Sequence, residues 1–273
     1  MPGATVGGRS SAGWRERAGV NWAAIVLAGS RPGTDPFAEA HGTDLKALIP
    51  VSGQAMVVRP VEALLAAPDI SQVRVLTQQP ERISAVLPTD GRLSVEPSGA
   101  TIAATLGAIL ADPESRYPLL VTTADHALLN PAMIADFCAK AEGADVAIGM
   151  VERAALTARL PQSQRTWLKF RGGAYSGANL FAFGNPKAVR AVELWRSVEQ
   201  ERKKGWRMIA SLGPFTLLGA AMRLRTLDQT LASVGQRLGL VIRQVEMADP
   251  LAAVDVDKPA DHELVTAILE GRA

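Results

Sequence analysis

The amino-acid sequence predicts an α/β fold in three layers, with a mostly parallel, Rossmann-like sheet between two layers of helices. Two observations carry this prediction. Short apolar segments alternate with helical patterns between residues 22 and 150, and such alternation is typical of parallel strands joined by crossover helices. The chain of 273 residues is 48% hydrophobic and 21% charged, which is the composition of a globular protein with a substantial core.

The strands in this part of the chain are predicted from uninterrupted apolar runs, which are typical of strands buried on both faces. They comprise residues 23–28, 73–76, 93–95, 119–121 and 146–148. The helices are predicted from apolar residues at helical spacing, and they comprise residues 55–66, 101–110 and 131–141. This order of strands and helices is the one that right-handed crossovers of a parallel sheet require.

The pattern changes after Met150. It predicts strands at 166–170, 179–183 and 240–245, a long helix at 186–204, two or three helices at 206–238, and a closing helix at 259–269. Neither an internal repeat nor a low-complexity linker divides the chain, so we predict one domain over residues 21–273 with a helical insertion at about 186–238. Residues 1–20 contain three arginines and no apolar segment, which predicts a disordered tail rather than a secretory signal.

Composition excludes several classes of protein. The chain has 29 basic and 27 acidic residues, a net charge of +2, which argues against a nucleic-acid binder that works through bulk positive charge. The single cysteine, Cys138, excludes a disulfide framework and a cysteine-built metal site. It also favours a reducing compartment, so the cytoplasm is the expected location. No apolar run reaches the roughly 20 residues that a transmembrane helix needs.

The loop after the first strand is the first candidate site. A glycine-containing turn at the carboxyl end of that strand is where open α/β sheets bind phosphates, and Gly29 and Ser30 occupy it here. The glycine spacings of dinucleotide-binding and P-loop proteins are absent. Arg31 follows, and Lys46 is the one lysine before Lys140. An ammonium group suits contact with a reacting phosphate; the alternative is a pair of solvated surface cations.

Carboxylates follow two further segments. Asp125 lies just beyond the run at 119–121, at the same edge of the sheet, where Mg²⁺ binds well to one or two carboxylates. Asp255 and Asp257 alternate on one face of an extended segment before Pro259, and two such carboxylates repel each other unless a cation or a basic group lies between them. Helix capping or a turn is the alternative for each aspartate.

Together these segments resemble the signature of nucleotidyltransferases in the molybdenum-cofactor guanylyltransferase-like superfamily, which includes the sugar-nucleotide pyrophosphorylases. The amino-terminal part of the resemblance rests on Leu27, Ala28, Gly29, Arg31, Lys46 and the following residues 47–54 (ALIPVSGQ). The chain departs from the family pattern at Ser30, where a second glycine is usual, and in an insertion at 32–45 that contains His41.

Further segments continue the resemblance in the family's order, over residues 23 to about 264. Asp125 matches the family's first Mg²⁺ aspartate. Residues 256–261 (VDKPAD) are similar to the closing V-D-T-P-E-D motif of the sugar-nucleotide members. Residues 175–181 (YSGANLF) resemble the segment that contacts the acceptor. Residues 98–101 (SGAT) lie where members of the family contact the nucleobase.

The resemblance implies a nucleotide site, an acceptor site and a metal site. The nucleotide site would comprise Leu27, Ala28, Gly29, Ser30, Arg31, Lys46, Thr77, Ser98, Gly99 and Thr101. The acceptor site would comprise Tyr175, Gly177 and Asn179. The metal site would comprise Asp125 and Asp257, with Asp255 as an additional or alternative ligand.

The resemblance also implies a reaction. An acceptor phosphate attacks the α-phosphorus of a nucleoside triphosphate (NTP) and pyrophosphate leaves, while Mg²⁺, Lys46 and Arg31 neutralise and align the phosphates. The attacking phosphate is already an anion, so neither His41 nor His126 is assigned as a general base, and His126 is expected in a loop or a cap. The base, the acceptor (a sugar, polyol or pterin phosphate) and the oligomeric state stay open.

Three alternatives compete with this interpretation. A glycosyltransferase with the same three-layer, GT-A-like fold would carry a D-x-D metal motif after the middle strand, where this chain has Ala124-Asp125-His126. A catalytically degenerate nucleotide-binding regulator is not expected to keep Lys46 and both metal aspartates. A peripheral membrane contact is the third, because basic residues at 202–207 precede an apolar run at 215–221; a helix packed on its own core explains the same pattern.

Overall fold

The computed structural model describes residues 21–30, 33, 35–200 and 224–273. The predicted tail at 1–20, Arg31 and much of the predicted helical insertion, 201–223, lie outside these residues, and so do the basic and apolar residues that suggested a membrane contact. The described strands are β1 (Trp22–Leu27), β2 (Pro50–Val51), β3 (Gln54–Ala55), β4 (Ile70–Thr77), β5 (Leu93–Pro97), β6 (Leu119–Thr123), β7 (Val146–Glu152), β8 (Leu168–Phe170), β9 (Gly173–Phe183) and β10 (Ile242–Glu246). The described α-helices are α1 (Pro36–Ala40), α2 (Val58–Ala66), α3 (Pro80–Ser84), α4 (Ile102–Ala111), α5 (Pro131–Ala141), α6 (Arg153–Arg159), α7 (Val189–Gln200), α8 (Leu227–Leu238) and α9 (Pro259–Leu269).

Eight strands form one mixed sheet in the order β10-β7-β9-β6-β1-β4-β5, with β8 paired to β9. β1 lies between β4 and β6 and is parallel to both, whereas β9 is antiparallel to β6, β7 and β8. The first five residues of β1 are buried, as expected for a central strand with helices on both faces. The predicted mostly parallel fold is confirmed, and among the described strands of this sheet β9 is the one that runs in the opposite direction.

Helices cover both faces of this sheet. On one face, α2, α5 and α9 bury Leu64, Phe137 and Val265 against alternate residues of β1. On the other face, α4 and α7 bury Leu106 and Val192. Each fully buried side chain of this size contributes about 1.5–3 kcal/mol. The two cores therefore fix the strands whose carboxyl ends carry the loops described below.

The helix predicted at 55–66 begins only at Val58. Residues 50–55 form the hairpin of β2 and β3 instead, with Ser52 at φ 48° and Gly53 at φ 81° in its turn. Positive φ at both central residues is typical of the two-residue turns that join antiparallel strands. The apolar residues just before the helix are buried, so their spacing reflects packing in the core rather than a helix.

Two later boundaries also differ from the prediction. The helix predicted at 186–204 is a 3₁₀ turn (Pro186–Ala188) followed by α7. The strand predicted at 179–183 is longer than expected and begins at Gly173. The predicted strand is too short because the added residues are mostly small and show no apolar alternation. β10 returns to the sheet beside β7, which places residues from beyond the predicted insertion in the same sheet as β1.

Cys138 lies buried on α5 and forms no disulfide. Burial raises the pKa of its thiol to about 12. The thiol is therefore protonated at neutral pH and is not available as a nucleophile.

Among the described helices, none has the length and apolar character needed to cross a bilayer.

Candidate active site

A cavity of about 1010 Å³ opens at the carboxyl ends of β1, β4 and β6. This is the edge at which open α/β sheets bind their ligands. Ten of the residues predicted from the sequence line it: Leu27, Ala28, Gly29, Ser30, Lys46, Ser98, Gly99, Thr101, Asp125 and Asp257. The fold thus gathers residues from both ends of the chain around one space.

Lys46 joins the two carboxylates that the sequence singled out. Its Nζ donates hydrogen bonds to Oδ2 of Asp125 at 2.7 Å and to Oδ1 of Asp257 at 2.5 Å. The side chains of Lys46 and Asp125 are 23% and 19% exposed, whereas that of Asp257 is 62% exposed. Burial lowers the pKa of Lys46, but the two carboxylates outweigh burial and hold this pKa above its ordinary value. The ammonium is therefore charged at physiological pH.

Local structure fixes the two carboxylates. Asp125 lies two residues beyond β6, and the hydroxyl of Thr123 donates to its Oδ1 at 2.5 Å. The carbonyl of Asp125 accepts the backbone N–H of Val256 at 3.0 Å, which ties the closing segment to the end of β6. Asp261, in the first turn of α9, accepts the N–H of Asp257 at 3.3 Å. Both aspartates are held by backbone contacts as well as by the lysine.

Asp255 belongs to a separate ion pair beside this site. Arg165 donates to its Oδ1 and, at 3.0 Å, to its carbonyl, and Asn179 donates to its Oδ2 at 3.0 Å. Burial raises the pKa of Asp255, and the charge of Arg165 opposes this shift. Both carboxylate oxygens of Asp255 have donors in this structure, and its role as an additional or alternative metal ligand stays a prediction. Its cation is Arg165, and it does not share Lys46 with Asp257.

Arg165→Ala is expected to destabilise the protein by about 3–5 kcal/mol, because the change leaves buried carboxylates without their cation. Arg165 lies 3.7 Å from Asp261 in addition to its contact with Asp255, and the side chains of Arg165 and Asp261 are only 9% and 10% exposed. Thermal unfolding measures the loss. Arg82→Ala is the matched control, since Arg82 and Asp44 form an exposed pair, and solvent-screened pairs of this kind add little stability. Equal melting temperatures for the two variants would contradict this account.

Gln78 closes the loop that follows β1. Its Oε1 accepts the N–H of Ser30 at 2.9 Å, and its Nε2 donates to the carbonyl of Ser30 at 3.3 Å. A Cβ at Gly29 would lie 2.9 Å from this amide, so the glycine leaves room for the contact. Gln78 is not among the residues predicted from the sequence, although it follows a buried strand directly, as the carboxylate of Asp125 follows β6.

Residues 98–101 are held at the amino end of α4. The hydroxyl of Thr101 caps the helix, and the N–H of Gly99 donates to the hydroxyl of Thr105 at 2.9 Å. Ser98 lines the cavity, and its hydroxyl oxygen is buried and makes no hydrogen bond within the described part of the chain. A buried hydroxyl without a partner is costly, so a ligand that supplies one would gain from it.

Thr77 is predicted to belong to the nucleotide site, but it is not part of the described lining of the cavity. Its side chain is fully buried, and its neighbours Leu76 and Gln78 line the cavity instead. The carbonyl of Thr77 accepts the N–H of Ser98 at 2.8 Å. Thr77 therefore fixes the position of the segment after β5, and its assignment to the nucleotide site stays a prediction.

The three residues predicted to contact the acceptor lie along β9, outside the described lining of the cavity. Tyr175 is paired across the sheet with Glu152 and Leu168, and Gly177 is exposed. Asn179 has a left-handed φ of 49° and directs its amide to Asp255. Asn179 thus serves the neighbouring ion pair, and contact of β9 with the acceptor stays a prediction.

His126 lies in the loop between β6 and α5, as expected, and its side chain is buried in the core. It is 1% exposed, and its Nδ1 lies 3.2 Å from the hydroxyl of Thr122. Burial lowers the pKa of its imidazole to about 4, and the charge of Asp125 opposes this only in part. His126 is therefore neutral at physiological pH.

This burial predicts that stability falls as the pH drops from about 6.5 towards 5, before most carboxylates titrate. The folded pKa of His126 is lowered from 6.5 to about 4, so the unfolded chain binds a proton that the folded chain does not. The stability present above pH 6.5 is then lost down to about pH 4, on the order of 3 kcal/mol in all. Thermal unfolding at several pH values measures this loss. His126→Gln is expected to show a flatter decline, and an equally steep decline would assign the effect to other groups.

Asp125 and Asp257 suit a Mg²⁺ ion, which takes one or two protein carboxylates and completes its shell with water and phosphate oxygens. The ammonium of Lys46 already places a cation between the two carboxylates, as their mutual repulsion requires. In the described ranges, no three His, Cys, Asp or Glu side chains converge on one point. The donor set therefore fits an ion that is shared with a bound polyphosphate.

A comparison with protein families identifies the chain. The model for the MobA-like NTP transferase domain matches residues 24–214. The chain belongs to this family. The match includes the loop after β1, Lys46 and Asp125, so the resemblance stated from the sequence is confirmed and this MobA-like domain is a nucleotidyltransferase. None of the curated proteins matches the chain significantly.

Solved structures share the fold of this MobA-like domain. A hypothetical transferase from Thermus thermophilus is 28% identical, with a TM-score of 0.75 over 89% of this chain and 99% of its own. A CMP:2-keto-3-deoxy-manno-octonic acid synthetase complexed with CTP is 16% identical, with a TM-score of 0.57 over 92% of this chain and 99% of its own. The 4-diphosphocytidyl-2C-methyl-D-erythritol synthase from Anaerococcus prevotii is 10% identical, with a TM-score of 0.55 over 92% and 96%. At these low identities, the similarity to the last two proteins shows a shared fold only.

Proposed function

We propose that this MobA-like domain transfers a nucleoside monophosphate (NMP) from an NTP to a phosphorylated small molecule and releases pyrophosphate, with Mg²⁺ as cofactor. The observation that carries the proposal is the position of Lys46 between Asp125 and Asp257 at the ligand edge of the sheet. Membership of the family supports nucleotidyl transfer. The two carboxylates and the adjacent cation support chemistry on phosphates.

In this reaction an oxygen of the acceptor phosphate forms a bond to the α-phosphorus, while the bond from the α-phosphorus to the pyrophosphate oxygen breaks. The attacking oxygen is already an anion, so no group needs to remove a proton. Mg²⁺, held by Asp125 and Asp257, would offset negative charge on the phosphates. Lys46 would contact the reacting phosphate, and Arg31, which lies outside the described residues, would meet the leaving pyrophosphate, so that catalysis consists of alignment and charge neutralisation.

The lining of the cavity supports one orientation of the bound nucleotide, with its phosphates at one end and its base at the other. Residues 27–30, held by Gln78, would receive the phosphates next to Lys46. Residues 98–101 would meet the base, where the unpaired hydroxyl of Ser98 offers a hydrogen bond. A sugar, polyol or pterin phosphate would supply the anion that attacks, with Tyr175 and Gly177 of β9 nearest the acceptor in the family pattern.

Two further assignments accompany the proposal. We assign residues 21–273 to one domain, because β10 and α9 pack with the sheet that β1 begins. We place the reaction in the cytoplasm, because a single unpaired cysteine suits a reducing compartment. The small net charge of +2 supports small-molecule substrates rather than nucleic acid.

The two alternative functions are less well supported by the site. The D-x-D metal motif of a nucleotide-sugar glycosyltransferase is missing, and His126, which follows Asp125, is buried and lies outside the described lining of the cavity. A degenerate regulator would have no need for the Lys46 contacts with both aspartates. Each alternative gives a distinct outcome in the test of the proposal.

The test is pyrophosphate release from each of the four NTPs with Mg²⁺, in the presence of sugar, polyol and pterin phosphates, followed by mass spectrometry of the products. We expect one pairing of NTP and acceptor to release pyrophosphate and to give a product heavier than the acceptor by one NMP unit. Transfer of a sugar from a nucleotide sugar would identify a glycosyltransferase instead. Binding of NTP without turnover across the panel would identify a regulator.

A further inference from the structure

Trp195 is an exposed tryptophan on the wall of the nucleotide cavity. It is 38% exposed and lines the cavity together with Ile102, which is 42% exposed. Large apolar side chains that remain exposed inside a cavity are typical of a ligand-binding wall. Trp195 lies on α7, within the predicted helical insertion, and no motif of the resemblance includes it.

The packing of α7 against α4 brings Trp195 to this wall. A Cβ added at Gly107 of α4 would lie 3.9 Å from Cγ1 of Val192 on α7, and Val192 is buried with other residues of α4. Trp195 follows three residues later, on the same face of the helix. Towards the sheet, its ring centroid lies 6.4 Å from that of Phe181 at an angle of 32°. The indole is thus supported by the sheet while part of its surface meets the cavity.

Neighbouring groups indicate what this wall binds. Ile102 is the first residue of α4 and directly follows residues 98–101, where the buried hydroxyl of Ser98 lacks a partner within the described residues. A planar heterocycle offers a π-face to an indole and polar edge groups to a hydroxyl. Lys46 and its carboxylates line the same cavity and suit the phosphates of the same ligand.

We propose that Trp195 is the surface on which the nucleobase of the NTP stacks, so that α7 completes the nucleotide site. This inference rests on the proposed function. Every base has a π-face, so stacking supplies affinity without selecting the base. Selection among bases then falls to residues 98–101.

The test compares an NTP with inorganic pyrophosphate, which has the phosphates and lacks the base. Wild type, Trp195→Ala, Trp195→Phe and the control Val241→Ala are titrated calorimetrically with Mg²⁺ and each of the four NTPs, and separately with Mg²⁺ and pyrophosphate. Val241 is 53% exposed and lies just before β10, outside the lining of the cavity. Trp195→Ala is expected to bind the NTP about tenfold to a hundredfold more weakly and to bind pyrophosphate unchanged. Trp195→Phe, which keeps an aromatic face, is expected to stay within about threefold of wild type.

Indole fluorescence gives a second readout. The chain has five tryptophans, and only quenching that arises at Trp195 is lost when this residue alone is replaced. NTP binding is expected to quench the emission of the wild type and to leave the emission of Trp195→Phe nearly unchanged. Pyrophosphate is expected to quench neither protein.

The outcomes separate this inference from the proposed function. Equal NTP affinity in wild type and Trp195→Ala would overturn the stacking role and leave the proposed function intact. Equal losses of affinity for NTP and pyrophosphate in Trp195→Ala would also overturn it, because the residue would then act on the shape of the cavity rather than on the base. A wild type that binds pyrophosphate but no NTP would contradict the proposed function itself.

Discussion

Lys46→Arg is expected to lower the rate of pyrophosphate release by about a hundredfold, because displacements of about an ångström cost that much where positioning dominates catalysis. The ammonium of Lys46 sits between two carboxylates at 2.7 and 2.5 Å. A guanidinium is wider and planar, so it cannot place one donor between both aspartates and also meet a phosphate in the same way. Lys46→Ala is expected to lose at least as much activity.

Steady-state rates of pyrophosphate release measure this effect, at a temperature where circular dichroism shows each variant to be folded. Lys140→Arg is the matched control, since Lys140 is an exposed lysine on α5 that pairs with Asp136. A solvated lysine exchanges with arginine at a cost of about 0.5 kcal/mol or less. Rates like those of the wild type in Lys46→Arg would show that Lys46 is such a surface lysine and would remove its catalytic role.

Asp125→Asn and Asp257→Asn are each expected to lower Mg²⁺-dependent activity by at least about a hundredfold. Substitution of a residue that only orients a metal ligand already lowers metal affinity or activity by about tenfold to a hundredfold. The carboxylates of Asp125 and Asp257 are the proposed ligands themselves. The amide keeps the shape of the side chain and removes its charge. Activity titrated against Mg²⁺ concentration is expected to require more metal in both variants.

The two variants are expected to differ in stability, which separates the metal role from folding. The side chain of Asp125 is 19% exposed and that of Asp257 is 62% exposed, so the contact of Asp257 with Lys46 is screened by solvent and adds little stability. Asp69→Asn serves as the control, because Asp69 precedes β4 at the opposite end of the strand from the cavity. If Asp125→Asn and Asp257→Asn turn over like Asp69→Asn, the metal assignment is wrong.

The sequence predicts the sheet and the ligand edge because both follow from local patterns. Buried parallel strands require apolar runs, and the residues that come directly after those runs must meet at one edge. The loop after β1 and Asp125 can therefore be placed at this edge from the sequence alone, whereas the local pattern does not predict every element. It failed along β9, where small residues give no apolar alternation, and before α2, where core packing imitates a helical spacing.

Contacts between distant residues lie beyond such reasoning. Lys46 is 79 residues from Asp125 and 211 from Asp257, and only the fold shows that one ammonium meets both. Arg165 lies in a loop without periodicity, 90 residues before Asp255, so its pairing with that carboxylate has no local signal. Trp195 reaches the cavity only because α7 packs against α4.

The most direct test of the central claim is the melting temperature of the wild type and Lys46→Ala with Mg²⁺ and each NTP in turn. A ligand at about a hundred times its dissociation constant stabilises the native state by about 2.7 kcal/mol, which for a chain of this size corresponds to a rise of about 5 °C or more. We predict such a rise for at least one NTP with the wild type and a clearly smaller rise with Lys46→Ala. The absence of any rise with the wild type, or equal rises for both proteins, would contradict the account.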